Sequence, residues 1–172
     1  MKKYYKSNIT QSRVMVKQSD IRGFTLIELM ITLAIASIVL AIAVPSMQSM
    51  TSNSLAEKAT GLLELDIKFA RSHAISRGET VRITPIGGDL ANGWTITAVT
   101  SADLIRQRGA LGDKVTFITT GFSAGYAGFT ATGQIEELGT ISIKTNGCTG
   151  NKNKTISLMI SGQIAIMENA CP

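Results

Sequence analysis

A chain of 172 residues with 44% hydrophobic content has room for one domain with a sizeable core. Its net charge of +5 invites a polyanionic partner, but six of the 17 basic side chains (Lys2, Lys3, Lys6, Arg13, Lys17, Arg22) face only Asp20 within residues 1–23, leaving 11 basic and 11 of the 12 acidic side chains beyond them. The basicity therefore belongs to the N-terminal segment, where it reads as a cytoplasmic topology signal and argues only weakly for nucleic acid.

Residues 24–44 form an apolar run without Gly or Pro, closed by Pro45. As a helix it spans about 31 Å, which matches a hydrocarbon core of roughly 30 Å. A cleavable signal peptide competes, because Ala41-Ile42-Ala43 has the A-x-A form. The run is long for that reading and contains Glu28 near its start. An ordinary anchor with an incidental interfacial acid also competes. An acid at bilayer depth costs about 2.5–3.5 kcal/mol, so a functional role is the default expectation.

Beyond Pro45 the helical pattern resumes. Ala56, Ala59, Leu63, Ile67, Ala70 and Ala74 recur at spacings of three and four and make an apolar face. Glu57, Glu64, Lys68 and Arg71 lie elsewhere, with Glu64 and Lys68 a favourable i,i+4 pair. Pro45 and the Ser/Thr-rich residues 46–54 predict a kink or local melting, and Gly78 a C-terminal cap. The segments ETVRIT, GWTITAV, KVTFIT, GFTAT, TISIK, KTISLMI and QIAIM carry short-strand signals, and MISGQI reads as a hairpin turning at Ser161-Gly162. The glycines of residues 121–129 are wrongly spaced for a phosphate loop and read as turns. These elements predict an α+β class: a long N-terminal helix, transmembrane in its first half and amphipathic in its second, packed on an antiparallel β-sheet domain. The divisions are a leader at 1–23, a span at 24–44, an amphipathic helix at 45–78 and a β domain at 79–172.

Cys148 and Cys171 fit no metal or CxxC spacing. If this region is exported to an oxidising space, a disulfide is the natural reading, and two unrelated buried thiols are the alternative. No catalytic constellation, metal spacing or cofactor motif is present, so a non-enzymatic chain without cofactors is expected. The single histidine, His73, and Trp94 read as packing residues, and Asp103, Asp113, Glu136 and Glu137 as solvated acids.

The run Gly23-Phe24-Thr25-Leu26-Ile27-Glu28, with a basic leader before it and about 20 apolar residues after it, resembles the N-terminal signal of type IV pilins and type II secretion pseudopilins. The resemblance implies cleavage after Gly23 by a prepilin peptidase, N-methylation of Phe24, and a filament-assembly role for Glu28, with Thr25 merely tolerated. Physically, cleavage leaves a cationic amine in an apolar setting, and a carboxylate from an adjacent subunit offsets it. A 23-residue leader is long, and a start at Met15 would leave nine residues that still carry Lys17 and Arg22. The stretches LDIKFARSHAISRGETVRI, NGWTI, FTATGQI and GTISI narrow the resemblance to the GspH/FimT/FimU group of H-type pseudopilins and minor pilins.

That resemblance implies a structural subunit anchored in the inner membrane, with its C-terminal domain in the periplasm, that assembles with other pilin or pseudopilin subunits. A minor pilin in the priming or tip complex of a type IV pilus is the first reading, supported by the cysteine pair, because pilins of this group more often carry a C-terminal bridge. An H-type pseudopilin of a type II secretion system is the alternative. A DNA-uptake pilin is the third, with Lys144, Lys152 and Lys154 as phosphate contacts and Arg106 and Arg108 on a neighbouring strand or turn. The C-terminal SGQIAIMENACP lacks the arginine-rich tail that DNA-binding relatives tend to show.

Overall fold

The computed structural model describes residues 23–123 and 125–171, so the basic residues 2–22 and the Met15 start lie outside the described residues. The chain divides into two units, one up to Val39 and one from Leu40 onward. A single helix, α1 (Leu26–Arg77), occurs in both.

The expected melting after Pro45 is absent: residues 46–54 are helical throughout. The proline removes only the bond its own amide would make to the Ala41 carbonyl, and the hydroxyls of Ser49 and Thr51, which donate to the Ser46 and Met47 carbonyls at 2.9 Å each, do not interrupt the helix. Ser52, fully inside, donates instead to the carbonyl of Asn146 at 2.8 Å. That tertiary bond outweighs the poor local propensity. At the other end Gly78 adopts φ +66°, and the Glu79 amide returns to the Ala74 carbonyl at 3.2 Å. This is the left-handed cap expected of a glycine there.

Among the described residues there are eight strands, β1 (Val81–Pro85), β2 (Trp94–Ala98), β3 (Leu104–Arg108), β4 (Val115–Thr120), β5 (Ala127–Phe129), β6 (Gly139–Thr145), β7 (Asn153–Leu158) and β8 (Ile164–Asn169). They form two four-stranded antiparallel sheets, ordered β3-β2-β1-β5 and β4-β6-β7-β8. The sequence pattern predicts one sheet, because strand alternation carries no information about which strands pair. It also leaves β3 undecided, and of the GFTAT segment only Gly128 and Phe129 fall in a strand, β5, while Thr130 onward turns.

The face of α1 predicted to be apolar is the one that packs. Ala59, Leu63, Ile67, Ala70 and Ala74 are fully buried and share one core with Val81, Ile83, Trp94, Ile96 and Phe129 of the first sheet and Val115, Ile141, Ile143, Ile156 and Leu158 of the second. Burying each large aliphatic contributes about 1.5–3 kcal/mol, and the alanines let the strands approach the helix closely.

Two turns of the same kind lie against α1. Thr130 and Gln134 bracket one, Met159 and Gln163 the other, each closed by paired backbone bonds and a glycine at positive φ, Gly133 or Gly162. The second hairpin therefore turns at Ile160-Ser161, with Gly162 as the following left-handed residue. A Cβ at Gly162 would collide with the Gly133 carbonyl oxygen. Arg71 ties both turns to the helix, donating from Nε to the Gly133 carbonyl and from Nη2 to that of Ser161, each at 2.9 Å.

Cys148 and Cys171 are bridged, with Cα atoms 5.7 Å apart. The bridge fixes residues 146–152, which Asn53 also holds through its side-chain oxygen to the Thr149 amide (3.0 Å). Lys152 adds an ion pair to Glu57 at 2.8 Å. Closing a loop of this size stabilises by about 3 kcal/mol in the chain-entropy account. Replacing both cysteines by serine should lower Tm by about 10 °C in a thermal melt followed by circular dichroism. An unchanged Tm would show that the bonds to Ser52, Asn53 and Glu57 hold the loop without the bridge.

Candidate functional site

The first candidate site is the N-terminal segment. Thr25 accepts a hydrogen bond on Oγ1 from the Glu28 amide at 3.2 Å, and its carbonyl receives the Leu29 amide at 3.1 Å. Thr25 is therefore the N-cap of α1, and Thr25-x-x-Glu28 follows the capping-box order. The expectation that Thr25 is only tolerated understated it. The helix begins at Leu26 rather than Phe24, which leaves Gly23 and Phe24 outside it, and Phe24 is 82% exposed.

From Leu26 the helix is long and apolar enough to cross a membrane, by length and composition. Its large apolar side chains are exposed, including Leu26, Leu29, Ile31, Leu33 and Ile38. The hydroxyls within the run are satisfied by their own backbone, Thr32 to the Leu29 carbonyl and Ser37 to that of Ala34, both at 2.8 Å. Such internal pairing is what a segment in hydrocarbon requires. Glu28 is exposed and no side chain among the described residues pairs with it.

The second constellation is one the sequence reading missed. Asp66 lies on the buried face of α1 between Leu63 and Ile67, with no solvent exposure. Its two oxygens receive four donors: Trp94 Nε1 (2.9 Å) and Arg108 Nε (2.7 Å) on Oδ2, Arg106 Nη1 (2.7 Å) and Arg108 Nη2 (3.1 Å) on Oδ1. This fills the acceptor capacity of a carboxylate. The arginines come from alternate positions of β3, opposite Ile96 and Trp94 of β2, so they share the face that turns toward the helix. The Arg106 guanidinium also lies 3.8 Å from the centroid of the Phe69 ring. Burial pushes the Asp66 pKa up, but hydrogen bonds from Arg108, Arg106 and Trp94 outweigh it and hold the group below its ordinary value. The available signals were an acid at core-face helical spacing and two arginines at i,i+2 on a strand.

The other predicted residues fall as follows. Trp94 is core, as expected, with its indole nitrogen committed to Asp66. His73 is half-buried, its ring 5.9 Å from that of Phe69. Glu136 and Glu137 are not free surface acids. Glu136 forms a two-point pair with Arg82 (2.9 and 3.0 Å), and Glu137 accepts from the Ser123 amide and hydroxyl at 2.7 Å each. Of the three lysines, Lys152 pairs with Glu57 and Lys154 with Glu168, while Lys144 is exposed on β6. Arg106 and Arg108 are committed to Asp66. Among the described residues no group of three His, Cys, Asp or Glu could hold a metal ion.

Among the described residues, one long α-helix with an exposed apolar N-terminal part able to cross a membrane, a buried C-terminal face and two sheets packed on that face define a pilin-like architecture. Residues 59–163 match the family described as Type II transport protein GspH, and residues 18–44 match the prokaryotic N-terminal methylation motif. The chain belongs to the GspH family and is a type IV pilin-like subunit. Its fold is similar to that of the type IV minor pilin FimU of Pseudomonas aeruginosa (TM-score 0.53, 21% identity, 68% of this chain and 88% of that one). It is similar too to that of the minor pseudopilin EpsH of the Vibrio cholerae type 2 secretion system (TM-score 0.52, 12% identity, 66% and 96%). A search of curated proteins gave no match.

Asp66 generates a prediction with a defined sign. Because folding lowers its pKa, its contribution to stability is complete above the ordinary aspartate value of about 3.9 and is lost as pH falls toward the lower folded value. Asp66→Asn leaves two part-buried arginines without a counter-charge and should destabilise by about 3 kcal/mol at neutral pH, the low end of the range for a broken buried pair because water still reaches both guanidinium groups. Denaturant unfolding at a series of pH values should show this gap narrowing only in the acid range below the ordinary aspartate value. A pH-independent gap would contradict the ionised state assigned to Asp66.

Proposed function

We propose that the chain is a minor pilin of a type IV pilus, placed in the priming or tip complex and without catalytic activity. A prepilin peptidase cleaves after Gly23 and methylates Phe24, residues 24–44 then hold the subunit in the inner membrane, and the β domain faces the periplasm. The observation that carries the subunit reading is the Gly23–Glu28 signal at the head of an exposed apolar helix. Cleavage at Gly23 puts the new amine just ahead of the Thr25 cap. Glu28, unpaired among the described residues, is then available to an amine from another subunit. The Cys148–Cys171 bridge favours the pilus machine.

The second reading, an H-type pseudopilin of a type II secretion system, is favoured by the description of the matching family. Deleting the gene and scoring surface pili and exoprotein secretion in parallel separates the two. Loss of pili with secretion intact supports the first, and loss of secretion with pili intact establishes the second. DNA uptake draws less support, since two of its three lysines and both arginines are neutralised by acids of the same chain.

Glu28→Ala should insert into the membrane as well as the unmodified chain, since it removes an acid from the apolar run, yet be lost from sheared filaments. Immunoblots of membrane and filament fractions measure both. Normal recovery in filaments would remove Glu28 from assembly.

A further inference from the structure

A groove of about 570 Å³ runs between the last turns of α1 and the β7–β8 hairpin. Its apolar surface is Ile67, Ile75 and Ile164, and its polar wall includes Arg71, Ser72, Gln163 and Lys68, the last paired with Glu64. Ile75 is half exposed although it belongs to the packed part of the helix. Arg71 makes its hydrogen bonds to two neutral carbonyls, and no carboxylate pairs with it among the described residues. An uncompensated guanidinium therefore stands over an apolar floor.

The same groove opens where β8 begins, at Ile164, and β8 is the last strand of its sheet. Its six residues pair with β7 in continuous register without a bulge, the sequence IAIMEN contains no proline or lysine, and its one charge, Glu168, is paired with Lys154 of β7. Proteins usually blunt such an edge, because its free amides and carbonyls template another strand. Ile166 and Met167 stay exposed on it. Only an extended backbone satisfies a strand edge, and alternate side chains of that backbone would point toward the groove. The charge of Arg71 selects a carboxylate among them.

We propose that β8 and this groove receive an extended, acidic segment of a neighbouring pilin-like subunit by strand addition. One of its apolar side chains lies on Ile75 and Ile164, and one of its carboxylates meets Arg71. The inference rests on the subunit reading above and names the contact by which the β domain takes part in assembly.

A photo-crosslinking amino acid at Gln163 of the full-length chain tests it, scored on sheared filaments already shown to contain that chain, so the subunit reading is judged before the groove is. The expected result is an adduct whose linked peptide belongs to another pilin-like subunit, is extended in that subunit's structure and contains Asp or Glu. Ser72→Glu, on an exposed wall position, should lower the adduct yield by about tenfold, the effect of roughly 1.4 kcal/mol of like-charge repulsion, while Ser72→Lys preserves it. No adduct, an adduct to a helix, an adduct to a second copy of this chain, or equal yields from the two Ser72 variants would each overturn the proposal.

Discussion

A carboxylate without solvent exposure in the middle of the helix's buried face sets the arrangement of everything around it. Asp66 cannot stay ionised there unless donors fill both oxygens, and the donors come from one indole and two guanidinium groups on adjacent strands. The reverse also holds. Arg106 and Arg108 occupy helix-facing positions on an edge strand, which without Asp66 would leave two part-buried guanidinium groups beside Trp94 and Ile96 with no counter-charge. Helix and first sheet therefore fix each other's register: sliding β3 by one residue would turn both arginines away from the acid. Each partner makes the other's position affordable.

The remaining contacts secure the second sheet to the same helix by different means. Apolar packing of Leu63 and Ile67 spans both sheets, Arg71 gathers two glycine turns, and the bridged loop at residues 146–152 closes on Ser52, Asn53 and Glu57. In the subunit reading these contacts have a mechanical sense. A filament would hold the subunit through residues 24–44, so any load on the β domain passes along α1 into these attachments.

Much of this was legible in the sequence, and the reasons differ by element. The apolar face of α1, its cap at Gly78 and the central strands follow from periodicity, glycine conformation and strand propensity, which are local properties, whereas the pairing of Cys148 with Cys171 followed only on the condition that the region is exported to an oxidising space. The two-sheet topology was not legible, since alternation within β1 or β6 says nothing about partners. Residues 46–54 lead into a part of the helix that Ser52 ties to Asn146, 94 positions away, and Asn53 to Thr149, a constraint no local propensity encodes. Asp66 was overlooked because an acid at a core-face position breaks the apolar pattern, and its justification lies 28 to 42 residues further on. The capping role of Thr25 was legible in its spacing from Glu28, since Thr-x-x-Glu ahead of an apolar run is the order of a capping box.

A double-mutant cycle between Asp66→Asn and Arg108→Gln, read by denaturant unfolding at neutral pH, addresses the central claim most directly. If the buried carboxylate and the β3 arginines form one interaction, the two losses will fall short of additivity by at least about 1 kcal/mol. Additivity within about 0.5 kcal/mol would contradict it.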